Sequence, residues 1–256
     1  NQIDQLVNAG IEAIRDIPED FPLSDTHQLV REVLQTGTPY VSEELGVDLN
    51  NLGPPAYYLD FETMSPIIPL YPGTSPIERI PFQWSVHHLD GNGALSHYEF
   101  LADGDVDPRR ELTEKLLDVL HDSDTPILAY FASFERGVIQ ELADLFPDLA
   151  PTLEELIARI GDPHPIVRSH AYYPDFKGSF SLKTVAPALA PELDYGDLDG
   201  VADGLAASAA FWGMASGTVA RASETQRTRQ ELLDYCKLDT EALMKVHLKL
   251  RNLANI

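Results

Sequence analysis

Asp60 and Glu62 stand two residues apart at the end of an apolar run, Ala56-Tyr57-Tyr58-Leu59, that reads as a strand. Side chains alternate along a strand, so both carboxylates point to one side of it. Two oxygen ligands placed in this way suit a hard divalent cation such as magnesium or manganese. An Asp-x-Glu triplet is common, and a solvated strand end accounts equally well for an isolated one. Far along the chain, Tyr235 and Asp239 are four residues apart in Tyr235-Cys236-Lys237-Leu238-Asp239, which on a helix puts them on one face, about 5 to 6 Å apart. A phenol beside a carboxylate is suited to orienting water, although an ordinary half-buried tyrosine next to a surface aspartate has the same spacing. Between these segments, Tyr130-Phe131-Ala132-Ser133-Phe134-Glu135 sets an acid just past a short strand, at the start of a helix. The helix dipole favours an acid there, so capping explains Glu135 taken alone. Order lifts the three segments above their separate explanations: acids on a strand, an aromatic-acid pair opening a helix, then a tyrosine and an acid on a late helix. Carboxylates within about 4 Å repel by roughly 4 kcal/mol per pair at an effective dielectric of 20, so such a cluster needs cations or protons.

The elements that must hold these residues follow from hydrophobic period and breakers. A strand over Ala56 to Met64 is followed by a proline-rich loop from Pro66 to Pro81, a strand from Phe82 to Leu89, an Asp90-Gly91-Asn92-Gly93 turn and a strand from Leu95 to Leu101. Three strands so joined predict an antiparallel meander. Asp107 reads as the cap of a helix with Pro108 at its first position and Leu112, Leu116, Leu117 and Leu120 as its stripe. A short buried strand, Ile127 to Tyr130, then runs into a helix carrying Val138, Ile139, Leu142 and Phe146. Further helices are expected near Thr152 to Ile160, Leu182 to Leu189, Asp203 to Met214 and Ser223 to Leu253, the last with Leu232, Leu243, Val246 and Leu250 as its core stripe. Three meandering strands, a helix, another strand and then helices is an α/β order, without the strict alternation of a dinucleotide-binding fold. No glycine-rich phosphate loop follows a strand, which leaves a nucleotide-fuelled enzyme without support. Residues 1–54 read as a helical lead-in with Ile3, Leu6, Val7, Ile11 and Ile14 near helical spacing and a second helix around His27 to Leu34. The breaker Asn50-Asn51-Leu52-Gly53-Pro54-Pro55 marks a boundary, with the main domain over 55–256. Because position 1 is Asn, a longer upstream region is expected.

Eighteen basic against 41 acidic residues give a formal charge of -23, which repels a polyanion at long range. Two considerations weaken that objection to a nucleic-acid partner. A site for divalent cations must itself be acidic, and in molar salt the Debye length is only about 3 Å. Acids spread along the whole chain suit the solvated surface of a halophile's protein. The single cysteine, Cys236, excludes an internal disulfide and a thiolate zinc cluster, so a metal must be held mainly by oxygen or imidazole. No apolar run approaches the roughly 20 residues of a membrane span, and a soluble, cytoplasmic protein is expected.

Taken together, these motifs resemble those of the DEDD exonuclease superfamily, the group of the proofreading exonucleases and ribonuclease D, in the branch whose third motif carries a tyrosine. More closely, Leu59-Asp60-Phe61-Glu62-Thr63, Pro81-Phe82-Gln83-Trp84-Ser85, Ser133-Phe134-Glu135, Gly178-Ser179-Phe180-Ser181-Leu182-Lys183 and Tyr235-Cys236-Lys237-Leu238-Asp239-Thr240 resemble the bacterial domain-of-unknown-function family 2779, over about residues 55 to 250. The resemblance implies a ribonuclease H-like fold, a mixed sheet with the antiparallel three-strand meander flanked by helices, together with two magnesium or manganese ions and 3′→5′ exonuclease-like hydrolysis of a single-stranded DNA or RNA end. It implies Asp60, Glu62, Glu135 and Asp239 as metal ligands and Tyr235 as the residue that positions the nucleophile. Thr63, Met64 and Lys183 are the expected substrate contacts, Lys183 near the amino end of a helix capped by Ser181. One departure stands out: the second motif of the superfamily ends in Asp, and here the acid is Glu135, one methylene longer. Asp162, in Ile160-Gly161-Asp162-Pro163, is either an extra ligand or a turn residue. The alternatives are a catalytically weak or inactive nuclease-fold module that binds a protein or nucleic-acid partner, and a sugar hydrolase using two carboxylates about 5 to 10 Å apart without metal.

Overall fold

A computed structural model of the protein describes residues 2–193, 200–201, 203–218 and 222–256. Helices α1 (Gln2–Asn8) and α2 (Asp25–Thr36) open the chain. α2 starts where Ser24 Oγ accepts the His27 N–H and stops at Gly37, whose φ of 69° is a left-handed turn that glycine adopts without strain. The two-residue strand β1 (Tyr40–Val41) and the short helix α3 (Leu45–Leu49) lead into β2 (Ala56–Met64), β3 (Ile80–Leu89) and β4 (Leu95–Leu101). There follow α4 (Arg109–Val119), β5 (Ile127–Leu128), α5 (Ser133–Leu145), α6 (Ala150–Arg159), β6 (Ile160–Gly161), α7 (Pro163–His170) and β7 (Ala171–Tyr172). Helices α8 (Leu182–Leu189), α9 (Gly204–Ala215) and α10 (Ala222–Leu253) complete the order.

The described residues form a mixed five-stranded sheet in the order β4-β3-β2-β5-β6, flanked by helices. The meander β2-β3-β4 is antiparallel, whereas β5 and β6 run parallel to β2 and to each other. Register sets Asp60 opposite Ser85 and Glu62 opposite Gln83, with a shift in pairing between Glu62 and Thr63. Since pairs that face each other share a side of the sheet, alternation sends Leu59, Phe61, Phe82, Trp84 and Val86 the other way. There they join Leu112, Leu116, Val138 and Ile139 in the main core, and the Trp84 indole N–H donates to the Leu112 carbonyl at 3.1 Å. Each such side chain contributes roughly 1.5–3 kcal/mol on burial.

A second core ties the first 54 residues to the rest. Val30, Val33, Leu45 and Leu49 are buried with Val167, Tyr172, Phe176, Val185, Leu189, Val246 and Leu250. β1 pairs antiparallel with β7, Tyr40 opposite Tyr172, so the expected helical lead-in also contributes a strand. The long helix α10 is thereby held from two sides, by this second core and by the sheet.

Several local expectations change. The strand after α4 covers only Ile127–Leu128, and Ile160 belongs to β6 rather than to the preceding helix. The helix Pro163–His170 is not among the expected elements; Asp162, read as a ligand or a turn residue, caps it by accepting the His164 N–H, and the prolines occupy its first turn, where no N–H is needed. At α4 the helix begins one residue later than expected, with Asp107 Oδ1 accepting the Arg109 N–H. Among the described residues, no helix is long and apolar enough to cross a membrane.

Candidate metal centre

Three acids from two distant segments meet over the second half of β2. Ligand atoms of Asp60, Glu62 and Asp239 lie within 4.8 Å of one another, and Glu62 and Asp239 are buried. Asp60 and Glu62 are brought together by the period of the strand; Asp239 arrives from α10, which crosses that face of the sheet. Burial and then the charge of Asp239 push the Asp60 carboxyl up to about 8, against the lowering influence of Cys236 and Lys183. Glu62 is held well above the ordinary carboxylate range by burial, then by Asp60 and Asp239. A cluster that favours protons this strongly is one that a divalent cation relieves. Every donor in it is a hard oxygen, which fits magnesium or manganese better than a soft metal.

Glu135, the third residue of α5, stands outside the three-acid set but close to it. It is 3% exposed, and burial, then the charge of Asp60, raise its carboxyl well above the usual range. Its Oε2 is buried with no hydrogen-bond partner. Capping alone would leave the carboxylate in solvent at the helix end, and an unsatisfied buried carboxylate oxygen costs free energy that a bound cation would offset.

Tyr235 is buried on the turn of α10 that precedes Asp239, and its hydroxyl accepts from Lys183 Nζ at 2.9 Å. The Lys183 ammonium lies 4.6 Å from the centre of the Tyr235 ring. Burial, then the negative charge of Asp239, Glu62 and Asp60, pushes the phenol well above its ordinary range, so it stays protonated. Lys183 follows Ser181 at the start of α8, as expected, but the Ser181 hydroxyl pairs with Thr184 Oγ1 and does not cap the helix.

Behind the acids runs a polar seam that the sequence reading did not assign. Gln83 Nε2 donates to the Leu232 carbonyl at 2.7 Å, Ser85 Oγ meets Thr240 Oγ1 at 2.8 Å, and His87 Nδ1 meets the same hydroxyl at 2.8 Å. His97 Nε2 reaches Ser85 Oγ at 2.9 Å, and the Cys236 thiol donates to Asp60 Oδ2 at 3.4 Å. Gln83, Ser85 and His87 alternate along β3, and that period was the signal available for them. Thr240 follows Asp239 directly, so these bonds set the rotation and height at which α10 presents Asp239.

The remaining expected contacts separate. Thr63 sits at the register shift after Glu62 and is partly exposed. Met64 is 1% exposed and belongs to the main core, as do Phe61 and Trp84. Asp162 uses both carboxylate oxygens on backbone N–H groups, those of Phe131, Ala132 and His164, which makes it an anchor for the turn into α5.

Residues 57–181 match the family model described as Domain of unknown function (DUF2779). That stretch holds Asp60, Glu62 and Glu135 and ends before Lys183, Tyr235 and Asp239. No curated protein and no solved structure matches the chain.

Proposed function

We propose that this chain is a divalent-metal-dependent phosphodiester hydrolase of the 3′→5′ exonuclease type, built on a ribonuclease H-like fold. The convergence of Asp60, Glu62 and Asp239 with the unsatisfied Glu135 nearby carries this reading. The order of the three segments, their resemblance to the DEDD motifs with a tyrosine in the third, and the meander leading a mixed sheet support it. When bound, magnesium or manganese supplies the positive charge that lets water attack phosphorus near neutral pH and steadies the departing oxygen.

The chain's own residues then have separable tasks. Asp60, Glu62, Glu135 and Asp239 would hold two ions and, in doing so, exchange mutual repulsion for attraction. Tyr235, kept neutral and steered by Lys183, offers a hydroxyl that fixes the direction of an attacking water. Lys183 adds a fixed positive charge beside the acids, suited to a phosphate oxygen. The strand removed would be single-stranded DNA or RNA. A sugar hydrolase needs two carboxylates without a metal, and a third acid within 4.8 Å of that pair disfavours it.

Calorimetric titration of manganese into wild type and an Asp60→Ala, Asp239→Ala double variant tests the site, with a 5′-labelled single strand as the activity probe. Binding and stepwise shortening from the 3′ end are expected in wild type alone, and a chelator should stop the shortening. Equal binding in both proteins would overturn the metal site; metal binding without any cleavage would leave a binding module.

A further inference from the structure

Phe131 stands four residues before Glu135 with a φ of 61°, a left-handed conformation that an L-aromatic residue adopts only under constraint. The constraint is Asp162, whose carboxylate accepts the N–H groups of Phe131 at 3.2 Å, Ala132 at 3.0 Å and His164 at 2.9 Å. This clamp holds the ring outward. One face stacks on His164, with centroids 3.6 Å and planes 28° apart, and the residue remains 48% exposed. Phe134, one turn on and 40% exposed, differs in carrying the Arg79 guanidinium over its ring at 5.2 Å. Among the described residues, the ring contacts of Phe131 are with Tyr130 and His164, both on the protein side.

We propose that the ring of Phe131, backed by His164, is a platform on which a nucleobase of the substrate stacks beside the acidic cluster. The proposal rests on the phosphodiester-hydrolase reading, because the flat ring that a phosphodiester strand carries is a nucleobase. Stacking also answers the charge problem. A chain of net charge -23 has little basic surface with which to grip a polyanion, whereas stacking is indifferent to charge and tolerant of sequence. The strained backbone is then part of the device: it holds an aromatic face in solvent within four residues of Glu135.

The test uses the full chain and two probes, adenosine 5′-monophosphate and ribose 5-phosphate, followed by the His164 ring signals in NMR spectra. The nucleotide should shift those signals and the base-free sugar phosphate should not. In Phe131→Gly the shift should vanish, and KM for a single-stranded oligonucleotide should rise about tenfold to hundredfold with kcat little changed. Phe131→Tyr should keep both properties. Glycine relieves a positive φ, so the melting temperature of Phe131→Gly should not fall with its binding, which separates a lost platform from a lost fold. Identical His164 responses to the two probes, or an unchanged KM in folded Phe131→Gly, would overturn the platform. If the nucleotide shifts His164 but no protein cleaves the strand, the platform stands and the hydrolase reading falls. If cleavage is seen with no shift and no change in KM, the platform alone falls.

Discussion

On one face of the five-stranded sheet, Leu59, Phe61, Phe82, Trp84 and Val86 meet Leu112, Leu116, Val138 and Ile139 in a dry core. On the other, Asp60, Gln83, Ser85 and His87 meet Cys236, Thr240 and the Leu232 carbonyl of α10 through hydrogen bonds of 2.7 to 3.4 Å. The same two strands make both faces. Apolar packing is non-directional, so the first face needs the right volume and tolerates many ways of filling it. Hydrogen bonds between buried partners have direction, so the second face specifies one position of α10 and leaves a broken bond costly. The acids lie on the face where position is specified, which is what a metal site assembled from two distant segments would require.

The sharpest way to break the comparison is to truncate each face in turn. Phe82→Ala on the apolar face should cost about 3–5 kcal/mol in urea unfolding, while activity per folded molecule stays near wild type. A comparable loss of activity at matched folded fraction would mean that the apolar face also positions the site.

Glu135 tests the cluster from α5, a helix whose Val138 and Ile139 belong to the apolar core. If it is a ligand, Glu135→Asp and Glu135→Gln should both lose more manganese-dependent activity than the roughly 10–100-fold that removing an outer partner of a metal site costs. If it only complements the helix dipole, Glu135→Asp should be nearly harmless, since Asp serves as well near a helix start. Initial rates on a labelled oligonucleotide across the three proteins decide between these outcomes.

The seam itself predicts non-additivity. Ser85→Ala and Thr240→Val should each cost about 1–3 kcal/mol by leaving a buried partner unsatisfied, and the double variant should cost less than their sum. Manganese affinity should fall in each single variant, because the seam sets the place of Asp239. Additive costs with unchanged affinity would reduce the seam to ordinary packing.

Smallest is a pH dependence that differs between groups on the same face. Without metal, the folded chain keeps a proton on Asp60, raised from 3.8 to about 8, that the unfolded chain releases, so this group's contribution to stability is lost as pH rises through that window. His87 and His247, each lowered from 6.5 to about 4 by burial first, act in the opposite sense: the unfolded chain takes up their protons, and stability falls as pH drops below 6.5. Urea midpoints in chelator between pH 6.5 and 8, above the histidine window, should therefore decline toward high pH in wild type and decline less in Asp60→Asn. Parallel curves for the two proteins would show that the cluster does not hold its proton.

Local chemistry in the sequence determined much of this. Alternation over Ala56–Met64 set Asp60 and Glu62 on one side, and the four-residue spacing set Tyr235 and Asp239 on one helical face. The three-strand meander, and the helices Leu182–Leu189 and the long final one, were legible for the same reason, since a period over many residues is a strong local signal. The two-residue strands β1, β5, β6 and β7 carry too few residues to show a period, and only pairing with a partner makes them strands. Asp162 read locally as a ligand or a turn residue; the fold spends its oxygens on three backbone N–H groups, two of them some thirty residues away in sequence. Met64 continues the strand beyond Glu62, but the tertiary fold decided that it is core. The meeting of Cys236 with Asp60 and of Thr240 with Ser85 and His87 joins positions more than 150 residues apart. A sequence period says which side of its own element a residue faces. Only the packing of α10 across the sheet decides what waits on that side.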